Sequence, residues 1–307
     1  MVTFTTTDFI EKVKLVSHVP QGNNTFNEAD FLSLADLEMR TRVAPKIASC
    51  RENYWLTTDT LPIDPGNKYA IPSKALGSAI VDVKVNSNTN LIHLARVEVS
   101  DLYSTQYANW PAYCFYIEDA TIKLIPATLN GNVMIWYYRI PSELVPVVQC
   151  GQITEIDYVT GDVTVNALPS AFVGGGELDI VSQNPGFNVL LKDSTPLGIV
   201  SNVITFLEVP PQVKIGDYVC LSGQSCVIQC PLEWVEVLIQ CVAVKIYEIQ
   251  GYEKKQAMAE KTLERMEMAA LGLVSPRTIE NAKIISGGGS LLMPMNKGWT
   301  LPVSRNV

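Results

Sequence analysis

The chain has 307 residues, 47% of them hydrophobic and 18% charged, a balance that excludes wholesale disorder, collagen-like repeats and a coiled coil. At roughly 100–200 residues per domain, this length leaves room for about two domains and a well-buried core. The net charge of −8 arises from 31 acids and 23 bases with no basic stripe, so the chain has no electrostatic means of gripping phosphates and sequence-specific nucleic-acid binding is not expected.

No apolar run approaches the roughly 18 residues of a membrane span, and Met1–Thr7 lacks the charged and apolar regions of a signal peptide. A soluble protein made and kept in a cytosol is expected. The seven cysteines, Cys50, Cys114, Cys150, Cys220, Cys226, Cys230 and Cys241, are an odd number spread along a long chain, which reads as reduced and mostly buried thiols.

In chain order, Thr7 or Asp8 caps a helix through Ser17, with Phe9, Ile10, Val13 and Val16 near helical spacing. Pro20 and Gly22 stop it. A second helix starts at Thr25, with Glu28 completing a capping box and Phe31, Leu34, Leu37, Ala44 and Ile47 forming the stripe. Pro45 is expected to kink its last turn. From Tyr54 the period changes to strands, predicted around Ile80–Val85, Leu91–Val99, Cys114–Glu118, Thr121–Ile125 and Val133–Tyr138, with Glu118-Asp119-Ala120 as a tight turn. Trp136, Tyr137 and Tyr138 run consecutively, so a strand there offers aromatic surface to both faces.

Residues 150–228 stand apart in composition, with eight acids against Lys192 and Lys214 and nine of the 19 glycines. Short runs at Ile153–Tyr158, Val163–Ala167, Glu177–Val181, Val203–Leu207 and Tyr218–Leu221 predict a small all-β barrel or sandwich, with Thr160-Gly161 as a two-residue hairpin. Pro231 then opens a helix through Gln250 that is apolar on nearly every side and therefore buried on most faces. A polar helix follows Gly251, with Gly272 as its stop and Ser275-Pro276-Arg277 closing the compact part. Residues 284–307 read as an extended arm whose Leu291, Leu292, Met293, Met295 and Trp299 need covering.

Chemistry is thinly represented. The only histidines, His18 and His93, lie in no nucleophile, oxyanion or metal motif. Gly174-Gly175-Gly176-Glu177 has no following helix and reads as a flexible loop rather than a phosphate cradle. Cys220, Cys226 and Cys230 lack the spacing and the histidine of a zinc site. The acid pairs Glu118/Asp119 and Glu155/Asp157 have the residue types of a glycosidase, yet read as a hairpin turn and a solvated strand face. Tyr103, Tyr107, Trp110, Tyr113, Phe115 and Tyr116 read as core or interface before sugar platform. The charges from Glu253 to Glu267 suit either a solvated helix face or the registering of neighbouring subunits.

The helix pair, Tyr69-Ala70-Ile71-Pro72, the hairpin from Cys114 to Pro126, Ile135-Trp136-Tyr137-Tyr138-Arg139-Ile140-Pro141 and the late helix opened by Cys230-Pro231-Leu232-Glu233 together resemble the head-to-tail adaptor proteins of tailed bacteriophages, the short-tailed ones in particular. In that family a "Y-x-l-P" segment, a hairpin ending in proline and a strand ending "Y-Y-x-x-P" lead to "l-P-e" and the late helix. The likeness covers residues 25–145 and 230–280; the chain departs by carrying residues 150–228 where members usually have a short link.

The resemblance implies a ring subunit of the virion neck, commonly in twelve copies, docked beneath the portal protein, bearing a tail or second ring protein and passing double-stranded DNA. It also implies assembly in the host cytoplasm, no membrane partner, no catalytic residue, no cofactor and no metal. By analogy, Leu291, Leu292, Met293, Met295 and Trp299 make the portal or subunit contact, and Trp136, Tyr137 and Tyr138 are interface aromatics. The expected fold is α+β: a helical bundle with a central antiparallel β-region (1–149 and 229–283), an inserted all-β barrel or sandwich (150–228) and an extended C-terminal arm (284–307). The alternative is an attachment or carbohydrate-binding module that holds a fibre or receptor through residues 150–228, with Phe172, Phe187 and Tyr218 as stacking rings.

Overall fold

The computed structural model describes residues 4–19, 25–87, 90–100, 113–125, 129–186 and 189–274. The C-terminal arm and its five apolar candidates lie outside the described residues, as do Tyr103, Tyr107, Trp110 and Phe187.

Helix α1 (Thr6–Ser17) begins where the Thr5 N–H donates to the Asp8 carboxylate at 2.8 Å. Helix α2 (Glu28–Glu38) starts later than the sequence suggested. Asn27 is its cap, accepting from the Asp30 N–H at 2.9 Å while its own N–H donates back at 2.8 Å, so the reciprocal box sits two residues beyond Thr25 and Glu28. A π-helical turn (Met39–Val43), which inserts an extra residue, stands directly before α3 (Ala44–Cys50), and Pro45, the proline expected to kink the last turn, is the second residue of α3 in a chain that stays helical throughout.

Four strands form the first sheet, in the order β1 (Leu56–Pro62), β8 (Asn132–Arg139), β3 (Ala75–Ser87) and β4 (Asn90–His93), all antiparallel. A second sheet runs β2 (Lys68–Ala70), β7 (Thr121–Ile125), β6 (Cys114–Glu118) and β5 (Ala95–Arg96), with β5 and β6 parallel. Tyr69, Val83, Val85, Phe115, Ile122, Ile135 and Tyr137 bury a common core for the two sheets. Short β9 (Glu143–Leu144) later pairs in parallel with β17 (Gln224–Ser225).

The segment predicted as a barrel or sandwich is a seven-stranded sheet that does not close into a barrel. Its order is β13 (Val189–Ser194), β12 (Leu178–Val181), β16 (Tyr218–Leu221), β10 (Gly151–Asp157), β11 (Asp162–Val165), β15 (Val203–Thr205) and β14 (Gly198–Val200), with β13 and β14 as the edge strands among the described residues. A bulge between Ile153 and Glu155 bends β10, which belongs to both halves of the sheet. The β10–β11 connection is four residues long rather than the expected two, because Asp157 accepts from the Val159 N–H at 2.8 Å and turns the chain early. Gly161 (φ 78°) completes it where a Cβ would stand 2.2 Å from the Phe206 carbonyl oxygen, a position only glycine fits. Ile153, Val163, Phe172, Leu178, Ile180, Ile204, Phe206 and Val219 fill this sheet's own core.

Pro231 precedes α4 (Leu232–Ile249) as its cap residue rather than as its first helical residue. Trp234, Leu238, Val242 and Ile246 are fully buried, and α4 packs against α1, α2 and the antiparallel α5 (Glu253–Val274). Gly272 does not stop α5, which continues to Val274. Deleting a buried ring such as Trp234 costs about 3–5 kcal/mol, so α4 is the spine of the helical part. No helix among the described residues is long and apolar enough to cross a membrane.

Candidate functional site

Strand alternation turns Val133, Ile135, Tyr137 and Arg139 of β8 inward, and the strand ends by delivering Arg139, 1% exposed, to the base of the seven-stranded sheet. There its Nη2 meets Asp179 Oδ2 of β12 at 2.6 Å, and Asp179 is 0% exposed. Two backbone donors complete the carboxylate's shell, Asp193 N–H at 2.7 Å and Gly223 N–H at 3.0 Å. Asp193 in turn binds Lys74 and Ser222. Burial pushes the Asp193 carboxyl up, but the hydrogen bonds from Lys74 and Ser222 and the charge of Arg139 outweigh it and hold the group below its ordinary value.

A second tie lies alongside. Lys192 of β13 bonds to Asp59 on β1 at 2.5 Å, and the Tyr137 hydroxyl donates to the same carboxylate at 2.9 Å. Burial, then the Asp59 charge, raises the Tyr137 phenol above its usual range. The two sheets are therefore clamped by charges that neither face of the junction can leave unpaired.

The helical part has its own polar contacts. Glu267 of α5, buried, binds Arg42 at 2.6 Å and also Lys46, fixing α5 against the π-turn and α3; these contacts hold its carboxyl low against the upward push of burial. The other charges of α5, including Lys254, Lys255, Glu260, Lys261 and Glu264, face solvent. Across α2, Asp36 accepts from the Leu144 N–H of β9 at 3.0 Å in a groove shared with Arg40 and Glu143. Burial pushes the Asp36 carboxyl up to about 7, against the lowering effects of the Leu144 N–H and Arg40.

Other residues singled out by sequence find structural places. His18 ends α1 with φ 54°, and exposed His93 lies 3.1 Å from Asp82. Glu118 pairs with Lys123 across the β6–β7 hairpin, whose turn residues Asp119 and Ala120 both have positive φ. Asp157 shapes the β10–β11 turn. Phe172 is 0% exposed and Tyr218 5%, so neither ring is open to a sugar and that part of the attachment reading is overturned. Tyr137 closes the core between the first two sheets, while Trp136 and Tyr138 are half-buried, with Lys84 over the Trp136 ring at 4.8 Å. Of the cysteine trio, Cys220 and Cys226 do converge, but the third member is Cys150; Cys230 lies in the helical core. Arg139 stands in the Tyr-Tyr-Arg-Ile-Pro run, but nothing local in that run marks it as the partner of a buried acid.

A family match places this α+β chain among bacteriophage structural adaptors. The match is to the model of the SU10 adaptor protein over residues 5–176, more than half of the chain, and the chain belongs to that family. It takes in α1 through β11, runs past Val145 into the seven-stranded sheet and includes the strand that carries Arg139. No curated protein matches the chain. As a phage adaptor it is a virion component that assembles with other head-tail proteins.

Proposed function

We propose that the protein is a ring-forming subunit of the virion neck, seated beneath the portal, through which packaged double-stranded DNA passes. The observation that carries this reading is the adaptor-family match across the first three helices and the first two sheets. Assembly, not bond-making, is the work assigned. A closed head-to-tail ring needs two unlike, mutually complementary surfaces on every copy. Exposed apolar side chains suited to such contacts include Leu15, Leu37, Met258 and Met268 on the helices, and Val159, Leu197 and Leu207 in the connections of the seven-stranded sheet.

The charge supports the lumen's task, since an acidic chain repels phosphates at close range while salt screens the remainder. The arm of residues 284–307 is assigned to the portal through Leu291, Leu292, Met293, Met295 and Trp299, and the sheet of residues 150–228 projects outward toward a tail protein or fibre. The stoichiometry assigned by family analogy is twelve. Deleting residues 286–307 tests the arm: the truncated protein is expected to fold with unchanged circular dichroism and to be missing from particles. Normal incorporation of the truncation contradicts the assignment.

A further inference from the structure

Three cysteines far apart in sequence converge on one buried point. Cys150 precedes β10, Cys220 sits on β16 and Cys226 follows β17, and their sulfurs all lie within 4.8 Å of one another. Their exposures are 5%, 0% and 0%. The buried cluster around them is formed by Val145, Val181, Tyr218 and Val227. No histidine or carboxylate joins the cluster among the described residues.

We propose that Cys150, Cys220 and Cys226 form a three-thiolate site for a soft, thiophilic d10 metal ion, with Cu+ favoured over Zn2+. Thiolates bound at about 2.3 Å from a shared centre stand about 4 Å apart, inside the observed spread. The Cys150–Cys220 pair, at 2.9 Å, has to open by about 1 Å. Soft sulfur ligands select Cu+ and Zn2+ over harder ions, and a structural zinc site calls for a fourth ligand that the described residues do not supply. Binding displaces the thiol protons to solvent, with no change of oxidation state.

The position gives the site a purpose. Cys150 and Cys220 are at the entry and exit of the seven-stranded sheet, and the Cys226 carbonyl accepts from the Thr6 N–H at 2.8 Å where α1 begins. A bound ion therefore pins the chain's entry to and exit from the sheet, on neighbouring strands β10 and β16, beside the first helix and stabilises the folded chain by mass action. This inference is independent of ring formation.

The test uses full-length protein purified anaerobically under reductant, exposed separately to Cu+ from a weak chelate and to Zn2+, then freed of excess metal. Elemental mass spectrometry is expected to find about one ion per chain, with a higher melting temperature, and X-ray absorption on the loaded wild type a sulfur-only shell. Cys226→Ala is expected to lose the ion, whereas Cys230→Ala keeps it. Retention of Zn2+ in the same sulfur shell also supports the site. Should Cys226→Ala fail to fold, the wild-type sulfur shell decides alone. A wild type that retains no ion, a shell containing nitrogen or oxygen in place of sulfur, undiminished binding by a folded Cys226→Ala, or a Cys150–Cys220 disulfide in the reduced preparation overturns the proposal.

Discussion

Arg139 and Asp179 are 40 residues apart in sequence and meet almost wholly buried. Removing one partner strands the other as a buried charge, so Asp179→Ala or Arg139→Ala is expected to cost about 3–5 kcal/mol, measured by chemical denaturation. A loss under about 1 kcal/mol argues that water reaches the junction. Asp36 behaves in the opposite sense from most carboxylates. Its folded pKa of about 7 lies above the ordinary value near 3.9, so between those limits the folded state holds the proton more tightly than the unfolded one. Its contribution is fully present below about pH 4 and is lost as pH rises through 7, at no more than about 1.4 kcal/mol per pH unit. Asp36→Asn keeps an acceptor for the Leu144 N–H; it is expected to flatten stability between pH 4 and 7 and to exceed the wild type above pH 7. An unchanged pH profile contradicts the burial argument.

At the scale of single elements, legibility followed locality. Strands β6 and β7 and their turn were read to the residue, because alternation and a two-residue turn are local signals. Ala120 holds φ 56° in that turn, a conformation that costs an L-residue about 1–2 kcal/mol, so Ala120→Gly is expected to raise stability by about 1 kcal/mol. The denaturation midpoint reads it. The caps of α1 and α2 slipped by two or three residues because neighbouring Thr, Asn, Asp and Glu compete for one role. Strand β13 went unread since Val189-Leu190-Leu191-Lys192 lacks alternation; its pairing with β12 and the reach of Lys192 to β1 hold it. Helix α5 showed its charges in sequence but not which of them turns inward. Glu267→Gln is expected to cost about 1.5–3 kcal/mol by weakening the contacts with Arg42 and Lys46. Because those contacts depress the Glu267 pKa, its contribution is present above about pH 4.5 and fades as pH falls below it.

For the molecule as a whole, periodicity was enough to reach α+β, and the order of the quoted motifs was enough to reach a resemblance to the adaptor family, while the contacts that hold the parts together were not legible. Arg139 with Asp179, Lys192 with Asp59 and Cys150 with Cys220 are each made by residues that only the sheet order brings together. The barrel expectation failed for a related reason: strand count and spacing do not say whether edge strands meet, and β13 and β14 do not pair. Assembly is a property of the whole subunit, and its most direct measurement is the mass of the purified full-length protein by light scattering, with and without the cognate portal. Ordered ring formation predicts a monomer that becomes a closed multimer when the portal is added. A monomer whose mass the portal leaves unchanged contradicts the neck-ring role.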